Sequence, residues 1–268
     1  MLKFFSPAKV NFFLRVLGKR SDGYHELASL FQTIDLGDTL TFAFSKEDSL
    51  TCSDTTLPCD SSNLVAKAVD LFRRKSGLNF SIHIHLDKQI PTQAGLGGGS
   101  SNAATTLWAL NALHHSPFTE QELQMWSSEI GSDIPFFFSH GTAYCTGRGE
   151  KVCDLPPVPL LEPLFLFKPK EGISTPAVYQ ALQLDECSKD DPEKLLAGFY
   201  TGNPSFLNDL ENPAFRLLPL LNDYKKELIK KGCSIVAMSG SGSSFFGYRG
   251  SSPLPARKSV MRSPQCWF

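Results

Sequence analysis

Hydrophobic and polar positions alternate along several short segments of the chain, which is the periodicity of half-buried β-strands. Over residues 8–17, Val10, Phe12 and Leu14 fall on one face, while Lys9 and Asn11 fall on the other. The same reasoning predicts two strands in 31–44 around a turn at 36–39, further strands at 80–86, 164–168 and 234–238, and a strand followed by a turn within 141–150. Lys9 and Asn11 should therefore point in the same direction.

Segments with apolar residues at helical spacing lie between these strands. Asn63 is an N-cap candidate for a helix that ends at Gly77, and a capping box at Thr119 opens a helix that ends at Gly131. Asp133 follows that helix, before an aromatic run at 136–138 that we expect to be a buried strand. Further helices are predicted near 192–200 and 213–230. Four prolines within 155–163 predict a domain boundary, which gives domains at 1–158 and 159–248.

Residues 91–102 form a loop with four glycines in five positions, followed by two serines and an apolar helix. Glycine lets backbone N–H groups approach an anion, and the N-terminus of a helix stabilises negative charge. A Walker loop is excluded because Ser100 stands where its lysine belongs, and the spacing Gly-x-Gly-x-x-Gly is also absent. A phosphate loop of another kind is the favoured interpretation, and a flexible linker with a helix cap is the alternative.

Composition narrows the classes of partner. The 268 residues have a net charge of -1, which offers no electrostatic case for nucleic acid or an anionic membrane. Seven scattered cysteines without a Cys-x-x-Cys pair indicate reduced thiols and a cytoplasmic location. Pro7, Lys9 and Asn11 interrupt the apolar start, so a signal peptide is not predicted, nor is any membrane span. His83 and His85 share a strand face, but we expect them to face solvent because no third metal ligand is nearby.

Three segments, taken in order, resemble the three motifs of the GHMP small-molecule kinases, which bind ATP without a Walker loop. They are Ser-Pro-Ala-Lys-Val-Asn at 6–11, Gly-Leu-Gly-Gly-Gly-Ser-Ser at 95–101, and Met-Ser-Gly-Ser-Gly-Ser-Ser at 238–244. Within that superfamily, Asp-Gly-Tyr-His-Glu at 22–26 and Gly-Ser-Asp-Ile-Pro at 131–135 resemble the branch that phosphorylates a cytidine diphosphate-linked methylerythritol. The likeness extends from residue 1 to about residue 247.

This resemblance implies a two-domain α+β fold, with an N-terminal domain like domain 2 of ribosomal protein S5 and a ferredoxin-like C-terminal domain. The active site would lie in the cleft between the domains, with ATP as co-substrate and Mg²⁺ as its metal ion. The reaction implied is phosphorylation of the substrate 2-hydroxyl in the non-mevalonate route to isoprenoid precursors. Asp133 would accept the hydroxyl proton and Lys9 would assist it. Taken alone, Lys9 could be a solvated lysine and Asp133 an ordinary turn residue.

The resemblance also assigns binding residues. Those implied for ATP are Asn63, Leu64, Pro91, Gly95, Leu96, Gly97, Gly98, Gly99, Ser100 and Ser101. Those implied for the substrate are Asn11, Tyr24, His25, Thr175 and Tyr179. No metal ligand is fixed by the protein, although Ser100 or Ser101 is available to Mg²⁺.

Two other functions remain open at this stage. One is another GHMP kinase, of the mevalonate or homoserine type, which Tyr24 and His25 argue against because a small acid has no base to bind. The other is a nucleotide-binding relative without turnover, which the presence of both Lys9 and Asp133 argues against. The sequence gives no indication of oligomeric state.

The resemblance ends before residues 249–268. This segment has three prolines, four basic residues, no acidic residue and no apolar periodicity. Such a composition buries too little surface to offset the entropy of ordering, so we expect a disordered tail.

Overall fold

A computed structural model describes residues 1–159, 163–249 and 257–259. Its strands are assembled into a seven-stranded and a four-stranded sheet. In chain order they are β1 (Leu2–Lys19), β2 (His25–Phe44), β3 (Ser49–Cys52), β4 (Ile82–Asp87), β5 (Thr142–Gly147), β6 (Lys151–Asp154), β7 (Leu164–Phe167), β8 (Leu207–Asn208), β9 (Cys233–Met238), β10 (Phe245–Arg249) and β11 (Arg257–Ser259).

The helices carry the start and stop signals expected from the sequence. Asn63 accepts a hydrogen bond from the backbone of Val65 at the start of the first helix, which ends at Gly77 with a left-handed φ of 70°. Thr119 forms the predicted capping box with Glu122. The helices are α1 (Leu64–Ser76), α2 (Gly98–Leu113), α3 (Glu120–Ser127), α4 (Thr175–Gln180), α5 (Pro192–Tyr200), α6 (Glu211–Leu217) and α7 (Leu220–Lys230).

The larger sheet is organised on the long antiparallel pair of β1 and β2. The other edge of β2 pairs with β5 along its first half and with β4 along its second half. Strand β3 continues beyond β4, β6 continues beyond β5, and the short β8 adds to β1 in parallel. The smaller sheet has the order β11-β7-β10-β9. Because β8 comes from the second half of the chain, the two halves share a sheet.

Strand β2 is continuous, whereas the sequence predicted two strands separated by a turn at 36–39. Pro7 pairs with Gly37 and Ala8 pairs with Ile34, so residues 35–36 of β2 form a bulge without interrupting the strand. Gly37 has a packing reason to be glycine, because a Cβ atom there would lie 2.2 Å from the ring of Phe5. The pattern signalled a local irregularity correctly, and the expected chain reversal was wrong.

Two other elements differ from expectation because of proline. Residues Pro135–Phe138 form a 3-10 turn rather than a strand, with Pro135 in its first turn and Phe136 and Phe137 fully buried. The predicted helix 213–230 is two helices, α6 and α7, separated at Pro219. Helix α3 also ends at Ser127, before the predicted Gly131.

The buried apolar residues join the two sheets as well as covering each of them. One cluster lies between the larger sheet and helices α1, α2 and α3. A second cluster includes Phe12 from β1 and Phe246 from β10, whose ring centroids are 5.9 Å apart. A third packs α4, α6 and α7 against the smaller sheet. The cleft described below is therefore framed by elements with a common core.

The predicted tail, residues 249–268, lies mostly outside the described residues. Its described part beyond Arg249 is β11, which pairs antiparallel with β7. The edge of a sheet has backbone N–H and C=O groups that can pair with another segment. Such pairing uses the backbone alone, so β11 can form without alternating apolar residues. The predicted domain limits at 158 and 159 stay a prediction.

Candidate active site

A cleft of about 1100 Å³ brings together segments that are far apart in the sequence. It is bordered by β1, the glycine loop at 91–99, the turn that carries Asp133, helix α4 and the loop at 240–241. The predicted site residues that line it are Lys9, Asn11, Tyr24, His25, Asn63, Leu64, Pro91, Gly95, Leu96, Gly97, Gly98, Gly99, Ser100, Asp133, Thr175 and Tyr179. The remaining predicted residue, Ser101, does not line the cleft.

Lys9 is held in one orientation at the floor of the cleft. Its side chain is 3% exposed, and its Nζ lies 3.4 Å from Oδ2 of Asp133. The same Nζ donates a 2.7 Å hydrogen bond to Oδ1 of Asn11 and lies 4.5 Å from the ring centroid of Phe31. Strand alternation places Lys9 and Asn11 on one face, as the sequence predicted. The ammonium group is thus directed at a carboxylate that faces the cleft.

The orientation of Asn11 is fixed by a hydrogen-bond chain within the sheet. Its Nδ2 donates to Oγ of Ser29 over 2.8 Å, and that hydroxyl donates to the carbonyl of Phe13 over 2.5 Å. The amide oxygen of Asn11 is left to face Lys9. Because Asn11 and Lys9 are already oriented, no free energy is needed to order them during a reaction.

Asp133 lies in the turn after α3 and keeps more solvent contact than Lys9, with 35% of its side chain exposed. Gly149, at a left-handed φ of 113°, approaches it closely, since a Cβ atom there would lie 3.1 Å from Oδ1. The carboxylate is therefore positioned between a buried cation and an open cleft. A carboxylate so placed can accept a proton from a bound hydroxyl group.

The glycine loop leads directly into α2, as predicted. Gly97 is the N-cap of that helix with a φ of 69°, and α2 then extends over 16 residues. The loop is attached to β1, because the amide of Lys9 donates a 3.0 Å hydrogen bond to the carbonyl of Leu96. The N–H groups at the start of α2 and the positive end of its dipole could stabilise an anion next to Lys9.

The second glycine-serine segment, at 239–244, packs against the glycine loop, and we call it the third loop. Oγ of Ser239 donates to the carbonyl of Gly95 over 2.9 Å, and the amide of Ser244 donates to the carbonyl of Ala94 over 3.1 Å. A Cβ atom on Gly95 would lie only 2.0 Å from the carbonyl oxygen of Ser239. The two loops thus form one wall of the cleft through backbone contacts.

Aromatic side chains line the end of the cleft near α4. The rings of His25 and Tyr179 are stacked, with centroids 5.3 Å apart and an interplanar angle of 26°. Burial, together with Lys19, lowers the pKa of His25, so its ring is neutral at neutral pH. Burial, together with Asp133, raises the pKa of Tyr179, so its phenol stays protonated. This end of the cleft suits a flat, uncharged ring.

Comparisons with known proteins agree on one family. The model of the GHMP kinases N terminal domain matches residues 63–141. A relative from Protochlamydia amoebophila named 4-diphosphocytidyl-2-C-methyl-D-erythritol kinase is 55% identical, over 91% of this chain and 83% of its own length. The chain belongs to the 4-diphosphocytidyl-2-C-methyl-D-erythritol kinase family. The Arabidopsis thaliana relative of that name, called chloroplastic, is 54% identical over 92% of this chain and 67% of its own length.

Solved structures give the same fold. The crystal structure of a 4-(cytidine 5'-diphospho)-2C-methyl-D-erythritol kinase matches with a TM-score of 0.79 and 34% identity, over 97% of this chain and 99% of that one. A homoserine kinase from Cytophaga hutchinsonii matches with a TM-score of 0.70 at 20% identity, over 92% of this chain and 84% of that one. The α+β GHMP kinase fold expected from the sequence is confirmed.

Sequence reasoning missed three basic residues that line the cleft, which are Lys19, Lys88 and Arg148. Lys88, before the glycine loop, forms a buried ion pair with Asp38, and its Nζ would lie 3.2 Å from a Cβ atom on Gly98. The guanidinium carbon of Arg148 lies 4.8 Å from the ring centroid of Tyr24. Lys88 carried no signal in the sequence, because its partner Asp38 is 50 positions away. Arg148 had no signal beyond its place in a glycine-rich turn.

The two serines offered to Mg²⁺ have different surroundings. Ser100 lines the cleft, whereas Ser101 is fully buried and accepts a 2.8 Å hydrogen bond from Oγ of Ser6. The hydroxyl of Ser101 is held against β1 by Ser6 and is buried away from the cleft. Ser101 does not reach the cleft surface, and the assignment of either serine to ATP or to the metal stays a prediction.

Asn63 and Thr175 line the cleft but already have hydrogen-bond partners. Asn63 accepts from Val65 and donates a 2.7 Å hydrogen bond to the carbonyl of Pro58, which closes the loop before α1. Oγ1 of Thr175 lies 2.7 Å from Oγ of Ser241 in the third loop. Both residues therefore shape the cleft edges in addition to any contact with a ligand.

His83 and His85 are each bonded to a neighbouring strand. Their Nδ1 atoms lie 2.7 Å from Oγ of Ser49 and 2.8 Å from Oγ1 of Thr51, respectively. Over residues 1–159, 163–249 and 257–259, no group of three or more His, Cys, Asp or Glu side chains is arranged to hold a metal ion. Within the same ranges, no helix has both the length and the apolar character needed to cross a bilayer.

Proposed function

We propose that this protein transfers the terminal phosphoryl group of ATP to the 2-hydroxyl of 4-diphosphocytidyl-2-C-methyl-D-erythritol. The observation that carries the proposal is that one cleft holds the Lys9–Asp133 pair, the glycine loop and the stacked His25 and Tyr179. The names of relatives that are 55% and 54% identical support the same substrate. The reaction would supply an intermediate of the methylerythritol phosphate route to isoprenoid precursors.

In this mechanism Asp133 accepts the proton of the attacking hydroxyl as its oxygen bonds to phosphorus. Lys9, 3.4 Å from that carboxylate, holds it in place and adds positive charge where the hydroxyl oxygen becomes negative. Phosphoryl transfer relies chiefly on alignment and charge compensation, because its transition state is loose. The buried hydrogen bonds of Lys9 and Asn11 provide that alignment before the substrate arrives.

The phosphates of ATP would lie against the glycine loop and the N-terminus of α2. Lys88, paired with Asp38, lies at this point beside Gly98. Ser100, which lines the cleft at the start of α2, would offer its hydroxyl to Mg²⁺ bound with the triphosphate. When bound, the ion neutralises phosphate charge during transfer. Asn63 and Leu64, at the same end of the cleft, would border the adenine.

The cytidine end of the substrate would use the aromatic side chains. Tyr179 and Tyr24 offer ring faces to the cytosine, and neutral His25 offers a ring nitrogen as a hydrogen-bond partner. Stacking of this kind contributes ~1–3 kcal/mol per base. Asn11 and Thr175, between the aromatic end and the loops, would contact the diphosphate or the erythritol.

The predicted cytoplasmic location rests on seven scattered cysteines without a Cys-x-x-Cys pair, whereas the Arabidopsis thaliana relative is called chloroplastic.

The test is a coupled ADP-release assay with the cytidyl substrate, mevalonate and homoserine presented in parallel. We expect turnover with the cytidyl substrate alone. Turnover with mevalonate or homoserine would support the alternative GHMP kinases, which are similar to this chain in fold. ATP binding without turnover of any of the three would support a non-catalytic relative.

The base is tested by Asp133→Asn, which removes the proton acceptor with little change of shape. We expect turnover to fall by about 100-fold or more with nearly normal ATP affinity, because general base catalysis contributes ~10²–10⁴. Asp223→Asn, at an exposed carboxylate on α7, is the matched control. Near-normal turnover by the Asp133→Asn protein would contradict the assignment.

A further inference from the structure

Asn208, at the end of the short strand β8, is a buried asparagine with every side-chain hydrogen-bonding group in use. It is 6% exposed. Its Nδ2 donates 2.7 Å hydrogen bonds to the carbonyls of Met238 and Gly240. Its Oδ1 accepts from the amide of Leu210 over 2.9 Å. The Asn208 side chain therefore binds two backbone carbonyls, two residues apart, at the end of β9.

Those two carbonyls flank Ser239, where the third loop begins. Ser239 bonds to the carbonyl of Gly95 in the glycine loop. Gly240 approaches the reacting end of the cleft, because a Cβ atom there would lie 3.4 Å from Nζ of Lys9 and 3.5 Å from Oδ1 of Asn11. The stretch held by Asn208 is therefore in contact with both the phosphate side and the lysine side of the site.

Asn208 is itself anchored to the strand that carries Lys9. It pairs with Leu14 of β1, and the next residue, Asp209, forms a buried 2.7 Å ion pair with Arg15. The carboxylate of Asp209 also accepts from the amide of Val16 over 2.7 Å. These bonds close a ring of contacts that passes from β1 through β8 and the third loop to the glycine loop.

We propose that Asn208 is a positioning residue, which holds the third loop at the distance from β1 that phosphoryl transfer requires. The inference rests on the function proposed above. It assigns to Asn208 no contact with the substrate or ATP, because it does not line the cleft. Its effect passes through Ser239 and Gly240.

The chemistry of the amide explains why asparagine suits this position. Two N–H donors on one planar group meet two carbonyl acceptors, and alanine would leave both carbonyls without these partners. Aspartate has the same shape but places an acceptor against two acceptors. A protonated aspartate recovers one donor, so the Asn208→Asp protein should regain function as the pH falls.

The kinetic test compares Asn208→Ala and Asn208→Asp with the wild type, using ATP and the cytidyl substrate. We expect kcat to fall by about 10- to 100-fold, because small misplacements at a reacting centre are costly. Both KM values should change by less than about 3-fold, because the aromatic end of the cleft is untouched. The ratio of Asn208→Asp to wild-type kcat should rise as the pH is lowered from about 8 to about 6, because protonation returns one donor to the carbonyls of the third loop.

The matched control is Asn111→Asp on α2. Asn111 is also 6% exposed and bridges a backbone in the same way, through a 2.8 Å bond from Nδ2 to the carbonyl of Phe118 and a 3.1 Å bond from that residue's amide to Oδ1. It lies at the far end of α2, away from the cleft. We expect it to lose thermal stability comparably and to keep its kcat.

A second readout is independent of the reaction. Amides of Ser239, Gly242 and Ser244 are hydrogen-bonded in the wild type, so their exchange with solvent should accelerate in Asn208→Ala and not in Asn111→Asp. The proposal requires faster exchange and lower kcat together, and either one without the other overturns it. If Asn208→Ala does not fold, Asn208→Asp at low and high pH decides both points. Absence of wild-type turnover would refute the proposed function, while the exchange result would still decide whether Asn208 holds the loop.

Discussion

Replacing Gly95 by alanine would separate the two loops that form one wall of the cleft. Gly95 has a φ of 71°, which L-residues rarely adopt. A Cβ atom there would lie 2.0 Å from the carbonyl oxygen of Ser239 and 2.9 Å from the amide nitrogen of Gly242. Both neighbours are backbone atoms, so no rotation of a side chain can relieve the overlap.

The size of the effect follows from these distances. Ordinary contact begins at 3.4 Å, so the loops must move apart by about 1.4 Å, the difference between 3.4 Å and 2.0 Å. The left-handed backbone adds a cost of ~1–2 kcal/mol to the free energy of folding. Because Gly95 borders both the ATP phosphates and the third loop in the proposed site, we expect kcat/KM for ATP to fall by about 100-fold.

Gly77→Ala is the matched control. Gly77 has a φ of 70°, and a Cβ atom there would meet no heavy atom within 4 Å, so this variant pays the backbone cost without the overlap. Thermal unfolding should show a loss in both proteins, while steady-state kinetics and ATP titration should show a loss in Gly95→Ala alone. Equal activity in the two variants would refute the role given to the contact between the loops.

Two further predictions concern the core and the aromatic end of the cleft. Phe12→Ala should lower the free energy of unfolding by ~3–5 kcal/mol in denaturant titrations, because Phe12 joins the two sheets, whereas Phe44→Ala, at a ring that is 52% exposed, should cost far less. Burial lowers the pKa of His25, so its ring stays neutral above pH 6.5 and the KM for the cytidyl substrate should be constant there. Below that pH the KM should rise, because a protonated imidazole has no nitrogen left to accept a hydrogen bond from the substrate. His25→Ala should raise that KM and abolish the rise, and a flat wild-type profile would contradict this use of the ring.

Features encoded by neighbouring residues were predictable from the sequence. The caps at Asn63 and Thr119 and the stop at Gly77 depend on bonds within a few residues, so their patterns had one interpretation. The shared direction of Lys9 and Asn11 follows from strand alternation alone. The glycine loop was recognisable for the same reason, since its φ values and helix start are local properties.

Features that depend on distant partners were not predictable. Strand β8 is two residues long and exists because β1 lies beside it, and the burial of Ser101 depends on Ser6. From the sequence alone, Lys88 would be assigned to the surface, because only the fold brings Asp38 next to it. The pairing of Lys9 with Asp133, 124 residues later, needed a resemblance to known kinases and could not come from periodicity.

The contact between Gly95 and Ser239 has a consequence for how the protein is made. The two residues are 144 positions apart in the sequence. At synthesis rates of ~5–20 residues per second, Ser239 is therefore made about 7–29 s after Gly95. During this interval β1, β2 and α2 can form on the ribosome, but the wall of the cleft is open. A nascent chain stalled before Ser239 should therefore fold its larger sheet and yet lack a completed ATP site.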